Sequence, residues 1–190
     1  KNISLLKAQS IQQNLFTSHI PTTQDINISA FYMPSEEVGG DYFEIKQVEN
    51  KLMIVIADCT GHGIEASLDS VLLKSVVDRY PELLVHYRTD QFLQVLNRDI
   101  YTYFKGKNYL TIMACVIDTD SKKMYYSNAN NEMPFLINNG TVTRLKRAEG
   151  FFIGYDKEQR FERRVVDLPE DTILFFYSDA IKEMKDARGE

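Results

Sequence analysis

Tryptophan is missing from the sequence altogether, and cysteine occurs only twice, at Cys59 and Cys115. Two thiols, each inside an apolar run, cannot form the dense cross-linked framework of a small secreted domain. They read as buried free thiols of a protein in a reducing cytosol. No apolar stretch approaches the roughly 20 residues that span a bilayer, so the chain has no membrane span of its own. No block of like charge occurs either, and the net charge is −5. That argues against DNA or RNA as a partner, because nucleic-acid-binding domains usually carry a basic patch. The short run Arg144-Leu145-Lys146-Arg147 reads as a solvated strand end. A D-x-D-x-D-G loop is absent, which removes the commonest calcium-binding module. The chain opens on Lys1-Asn2-Ile3, with neither an initiator methionine nor a signal peptide, as expected of a piece of a longer protein.

What is present is ordinary globular material, with 44% hydrophobic and 26% charged residues in 190. That is enough to bury the core of one domain. Residues 3–16 have a partly helical period and predict an amphipathic entry helix that ends before Pro21. Residues 26–33 alternate through Ile26, Ile28, Ala30 and Tyr32 and predict a strand. Tyr42–Val48 and Lys51–Ala57 flank Glu49-Asn50 as a hairpin. The second of these strands is apolar throughout and is expected to be covered on both faces. Ile64–Tyr80 predicts a helix stopped by Pro81, and a second helix runs to Phe104 from a cap at Thr89 or Asp90. From Tyr109 onward the rhythm is of short strands: Leu110–Ile117, Met124–Asn128, Phe135–Ile137, Val142–Leu145, Phe161–Leu168 and Thr172–Tyr177. The turn Asn138-Asn139-Gly140 is a strong hairpin signal. Many hairpins around two helices predict an α+β domain with antiparallel sheets.

Three aspartates sit where strands start, end or bend. Asp41 follows Gly39-Gly40, Asp58 follows the buried strand, and Asp179 follows Ile173-Leu174-Phe175-Phe176-Tyr177. A carboxylate at the end of an apolar strand is held firmly and partly dried, so its charge needs a cation or hydrogen bonds. Converging carboxylates repel, and a hard dication with oxygen ligands relieves them, which favours Mg²⁺, Mn²⁺ or Ca²⁺ over zinc. Taken singly, each aspartate reads equally well as a turn or helix cap. His62 lies between Gly61 and Gly63 and has two readings, a general acid or a ring that hydrogen-bonds its own loop. His19 and His86 have no motif around them and read as surface residues.

The wording around the aspartates is more specific. Val38-Gly39-Gly40-Asp41-Tyr42-Phe43, Ile56-Ala57-Asp58-Cys59-Thr60-Gly61-His62-Gly63 and Tyr177-Ser178-Asp179-Ala180-Ile181-Lys182-Glu183 resemble, in order and spacing, the SpoIIE/RsbU-type branch of the metal-dependent protein phosphatase (PPM) superfamily. Ala8–Leu15 resembles that family's entry helix, and Phe31-Tyr32-Met33-Pro34 its approach to the first aspartate. Tyr109-Leu110-Thr111 and Tyr126-Ser127-Asn128-Ala129 match two central strands.

The resemblance implies an α-β-β-α sandwich of two antiparallel sheets flanked by helices, with residues 1–20 as an entry or linker helix and 21–190 as the phosphatase domain. It implies two Mg²⁺ or Mn²⁺ ions between the sheets. Asp58 would contact both, the Cys59 backbone carbonyl would add a ligand, and Asp41 and Asp179 would complete the set. The implied activity is hydrolysis of phosphoserine or phosphothreonine by metal-activated water, with neither cysteine as nucleophile. The implied partners are a phosphorylated regulatory protein, such as a STAS-type anti-sigma-factor antagonist, and an upstream sensor domain in bacterial cytoplasmic signalling. Two positions depart from the family pattern. Ala180 stands where a glycine is usual, and Asn128-Ala129-Asn130-Asn131 stands for N-A-G-H. The family also continues past the equivalent of Glu190 to a helix and a strand bearing an Asp-Asp pair, so this chain is expected to lack that C-terminal helix, strand and final carboxylate. A catalytically silent binding module of the same fold is the alternative.

Overall fold

A computed structural model describes residues 3–16, 20–23, 25–34 and 36–183, so His19 and the last seven residues lie outside the described part. Its elements run α1 (Ile3–Phe16), β1 (Asp41–Val48), β2 (Lys51–Cys59), α2 (Gly63–Val77), α3 (Pro81–Val85), α4 (Thr89–Phe104), β3 (Leu110–Asp118) and β4 (Lys123–Ala129). They continue with β5 (Phe135–Asn138), β6 (Thr141–Arg144), β7 (Arg164–Asp167), β8 (Ile173–Phe175) and α5 (Ala180–Glu183). Five strands form one sheet in the order β1-β2-β3-β4-β7, and three form a second in the order β6-β5-β8. Every pairing is antiparallel.

Strand β2 shows why its sequence is apolar throughout. Met53, Val55 and Ala57 turn to the helical side and pack in one core with Leu73, Val76, Phe92, Leu93 and Leu96 of α2 and α4. Leu52 and Ile54 turn the other way and pack with Met113, Cys115 and Met124, beneath Leu136 and Leu174 of the second sheet. The neighbouring strand β3 divides in the same manner, Ile112, Ala114 and Val116 to the helices and Met113, Cys115 and Ile117 to the second sheet. Alternate side chains of a strand point to opposite faces, so two covered faces require apolar residues at every position. The layers are therefore helices, five-stranded sheet and three-stranded sheet. On the outer face of the three-stranded sheet, Val142, Ile173 and Phe175 are exposed. Among the described residues, no helix longer than the four-residue α5 follows β8.

The hairpin at Asn139-Gly140 has positive φ at both residues, as a two-residue turn of this hand requires. Three elements differ from the sequence expectation. Residues 26–34 form no strand; the Thr23 hydroxyl caps them by accepting from Ile26 N at 2.8 Å, and Ile26 and Ile28 pack against the inter-sheet core. Their alternation records which side is buried, without a partner strand. Pro81 does not stop the preceding helix, which ends at Val77 with Asp78 as its C-cap. It begins α3 near its first position, where a missing N–H is harmless. Helix α4 starts after Arg88 with no side-chain cap, while the Thr89 hydroxyl is buried and bonds to Ser127 Oγ at 2.8 Å. Finally, β7 and β8 lie in different sheets, joined across the edge through Pro169-Glu170-Asp171.

Candidate metal centre

Asp41 is the first residue of β1 and Asp58 the last but one of β2, and the two are directly opposite in the ladder. The adjoining pair, Gly40 and Cys59, is joined by Cys59 N–H to Gly40 O at 3.3 Å. Hydrogen-bonded and non-hydrogen-bonded pairs alternate along an antiparallel ladder, so Asp41 and Asp58 occupy a non-hydrogen-bonded position, where side chains come closest. Both carboxylates share the face of Ile54 and Leu52, the face that looks toward the second sheet. Gly40 permits this junction. A Cβ there would lie 2.9 Å from Ala66 Cβ and 2.9 Å from the Cys59 carbonyl oxygen. The Cys59 thiol points the opposite way, into the helical core.

Asp179 comes from beyond β8, across the sandwich, and its charge reaches Asp41. Burial pushes the Asp41 carboxyl up. A hydrogen bond with Ser178 opposes the shift, the Asp179 charge adds to it, and a hydrogen bond with Asp58 opposes it, with a net rise. Burial, then Asp41 and Cys59, pushes the Tyr32 hydroxyl up to about 12. Tyr32 donates to the Asp41 carbonyl at 3.2 Å. Burial, followed by the charges of Asp69, Asp58 and Asp41, drives the Cys59 thiol well above its ordinary range. A thiol so shifted is neutral and a poor nucleophile.

The structure thus brings Asp41, Asp58 and Asp179 into one neighbourhood, with the Cys59 carbonyl beside Gly40. Two half-buried carboxylates, Asp41 and Asp58, with the exposed Asp179 and an all-oxygen donor set fit a hard divalent cation. They do not close into a ready ligand cage: among the described residues no three His, Cys, Asp or Glu side chains stand close enough to hold an ion. His62 leads into α2, and its Nδ1 lies 2.8 Å from Glu36 Oε1. That pair is superficial, with the two side chains 85% and 48% exposed. The imidazole is therefore held by Glu36 and not by its own loop. His86 is exposed.

Several contributors were not singled out from sequence. Ser178 bonds Asp41. On α1, Gln12 donates to Gly39 O at 2.7 Å and to Ser70 Oγ at 3.0 Å, and accepts from Gly39 N at 3.1 Å. Phe16 of the same helix meets Tyr42 edge-on, with ring centres 5.2 Å apart. The entry helix therefore grips the glycine pair that leads into Asp41.

The Stage II sporulation protein E (SpoIIE) family model matches residues 49–190, more than half of the chain. The chain belongs to the SpoIIE family. Among curated proteins it is 25% identical over 183 residues to phosphoserine phosphatase RsbU of Bacillus subtilis (strain 168), covering 96% of this chain and 54% of that protein. It is 25% identical over 181 residues to phosphoserine phosphatase RsbP of the same organism, covering 93% and 44%. This SpoIIE-family chain thus spans about half the length of the curated relatives it matches. Its fold is similar to the SiaA-PP2C domain of Pseudomonas aeruginosa, with a TM-score of 0.74, 19% identity, and 90% and 68% of the two chains covered. It also resembles RsbX in complex with magnesium, with a TM-score of 0.57, 19% identity, and 73% and 65% covered. The sandwich expected from the sequence is the sandwich of these structures.

Proposed function

We propose that this chain is the catalytic domain of a metal-dependent protein serine/threonine phosphatase acting on a phosphorylated regulatory protein. The opposed pair Asp41 and Asp58, with Asp179 within electrostatic reach, carries the reading. Membership of the SpoIIE family and likeness to two phosphoserine phosphatases support it. Asp58 would hold two Mg²⁺ or Mn²⁺ ions, aided by Asp41, Asp179 and the Cys59 carbonyl. Bound there, divalent ions supply Lewis acidity to the phosphoryl oxygens and make water a nucleophile near neutral pH.

The chain's own residues do the rest. Ser178 and Asp58 orient the Asp41 carboxyl, and Gly40 sets the close approach of β1 to Cys59. Tyr32 closes one side of the aspartate. His62, paired with Glu36, would be the donor of a proton to the departing serine oxygen. The buried thiols take no part. The substrate class we assign is a STAS-type anti-sigma-factor antagonist or similar phosphoprotein. An upstream sensor acting through α1, in a cytoplasmic bacterial signalling protein, completes the assignment.

One observation favours a second reading, a catalytically silent module of the same fold. The described carboxylates do not form a closed ligand set. Turnover of p-nitrophenyl phosphate with added Mn²⁺ separates the two. The phosphatase reading expects turnover in the wild-type chain and its near-complete loss in Asp58→Asn; no turnover with either metal supports the silent module.

A further inference from the structure

Beside the carboxylates, the same end of the large sheet carries a chain of polar contacts that leads to a cation. Thr111 of β3 is the ladder partner of Asp58. Its hydroxyl accepts from Asn131 Nδ2 at 2.8 Å. The buried Asn128 donates to Asn131 O at 3.2 Å. Asn128 Oδ1 and Asn130 Oδ1 both accept from Arg147 Nη1, at 3.4 and 3.2 Å. Asn130 occupies the position where the family pattern has glycine, with φ of +57°, a conformation that asparagine tolerates better than most residues. Its side chain supplies an acceptor that glycine could not.

Arg147 is exposed, and among the described residues it forms no ion pair with a carboxylate. The nearby Arg144 and Arg164 differ, pairing with Glu132 and Glu162. The loop that presents Arg147 is fixed. Leu145 and Ala148 on either side are buried. Glu149 N donates to Glu162 Oε2 at 2.8 Å, and Glu149 O accepts from Glu162 N at 2.7 Å. Gly150 lies so close beneath Asn128 that a Cβ would stand 2.3 Å from its carbonyl oxygen. A guanidinium on a rigid mount, held from one side by neutral amide oxygens, keeps its remaining donors for an oxyanion.

We propose that Arg147 is a specificity-determining residue that binds an acidic side chain of the phosphoprotein, a few residues from its phosphoserine. This rests on the phosphatase reading above. Distance selects the ligand. Thr111 faces Asp58 and Met113 faces Asn128, so Asp58 and Asn128 are two strand spacings across and two residues along the sheet from each other, about 12 Å between backbones, and Arg147 is held at Asn128 and Asn130. The guanidinium is therefore too far away for a phosphoryl group seated at Asp41 and Asp58. An extended peptide advances about 3.3 Å per residue, which places the contacted side chain about three or four residues from the phosphoserine. The site is acidic at Asp41, Asp58 and Asp179, so the cation of Arg147, with exposed Lys146 beside it, offsets what would otherwise repel an acidic partner.

The test measures binding, so it needs no turnover. Fluorescence anisotropy at low salt compares phosphoserine peptides carrying Asp, Ala or Lys three and four residues before or after the phosphoserine. It uses the full chain, Arg147→Met and Arg147→Lys. The wild type should bind an Asp peptide about threefold to fivefold more tightly than its Ala counterpart, the range of an exposed ion pair. That preference should vanish in Arg147→Met and partly persist in Arg147→Lys, with Mn²⁺ affinity and p-nitrophenyl phosphate turnover unchanged. The proposal fails if the wild type does not discriminate, or if Arg147→Met still does. It also fails if Arg147→Met weakens all peptides alike and lowers the melting temperature, for then the arginine only braces the asparagine loop. Absence of p-nitrophenyl phosphate turnover in the wild type, with the Asp preference intact, would sink the phosphatase reading and leave the Arg147 contact standing.

Discussion

Asp41 and Asp58 face each other across the β1–β2 ladder at a non-hydrogen-bonded position, so two acidic side chains share the closest cross-strand spacing in the sheet. Like charges directly opposite destabilise a sheet. Here a hydrogen bond between the two relieves the pair, and it is burial, then the Asp179 charge, that pushes the Asp41 carboxyl up. In metal-free protein, Asp41→Asn removes a charge that the fold disfavours while keeping an acceptor for Ser178. The melting temperature without metal should rise by about 2–4 °C, equivalent to roughly 1 kcal/mol in a domain of this size. Scanning calorimetry in chelator checks this, and a fall would show the carboxylate to be structural.

Gln12 is buried between Gly39 and Ser70 and links the entry helix to the Gly39-Gly40 approach. Gln12→Ala leaves Gly39 N without its side-chain acceptor and Gly39 O with the Ser70 hydroxyl alone, at about 1–3 kcal/mol. Denaturant melts should show that loss, and Mn²⁺ affinity should fall with it because the next residues set Asp41. Unchanged affinity with lowered stability would confine α1 to a packing role.

Both cysteines are buried, and burial raises both thiols. Aromatic disulfide reagents should leave the native chain unmodified and label two thiols after denaturation. Cys59→Ser and Cys115→Ser should each keep most Mn²⁺-dependent turnover. Loss of turnover in folded Cys59→Ser would point to thiol chemistry.

At the opposite end of the large sheet, Asp118 accepts from Asp120 N and Ser121 N at 3.0 Å each, from Asn50 Nδ2 at 3.2 Å, and from Tyr87 Oη. Burial raises this carboxyl, but the bonds from Ser121, Tyr87 and Asp120 outweigh it and hold it below the ordinary carboxylate range. A folded-state pKa below the unfolded one stabilises the fold above the unfolded value, near pH 4, and that stability is lost as pH falls through the folded one. Asp118→Ala should therefore lower stability at pH 7 by about 2 kcal/mol and flatten the acid limb of a pH–stability curve. An unchanged acid limb would contradict this.

The sheets were legible because residues 52–57 of β2 and 112–117 of β3 are apolar at every position, a pattern that two covered faces impose. The hairpin at Asn139-Gly140 was legible for a local reason, the need for positive φ. The same logic misread residues 26–33, whose Ile26 and Ile28 lie on the core without a partner strand. It also missed α3, since proline can open a helix as well as end one. The aspartates announced themselves through the glycines and strands before them. Ser178, Gln12 and the Asn128–Arg147 contacts did not, because each depends on segments far apart in sequence that only the folded chain brings together.

We propose that Asp41, Asp58 and Asp179 form one metal centre. Calorimetric titration of Mn²⁺ into the full chain and into Asp58→Asn, Asp41→Asn and Asp179→Asn tests it most directly. Binding should be saturable in the wild type, almost lost in Asp58→Asn and weakened in the other two, with all four chains folded. Equal Mn²⁺ affinity in the wild type and Asp58→Asn would contradict it.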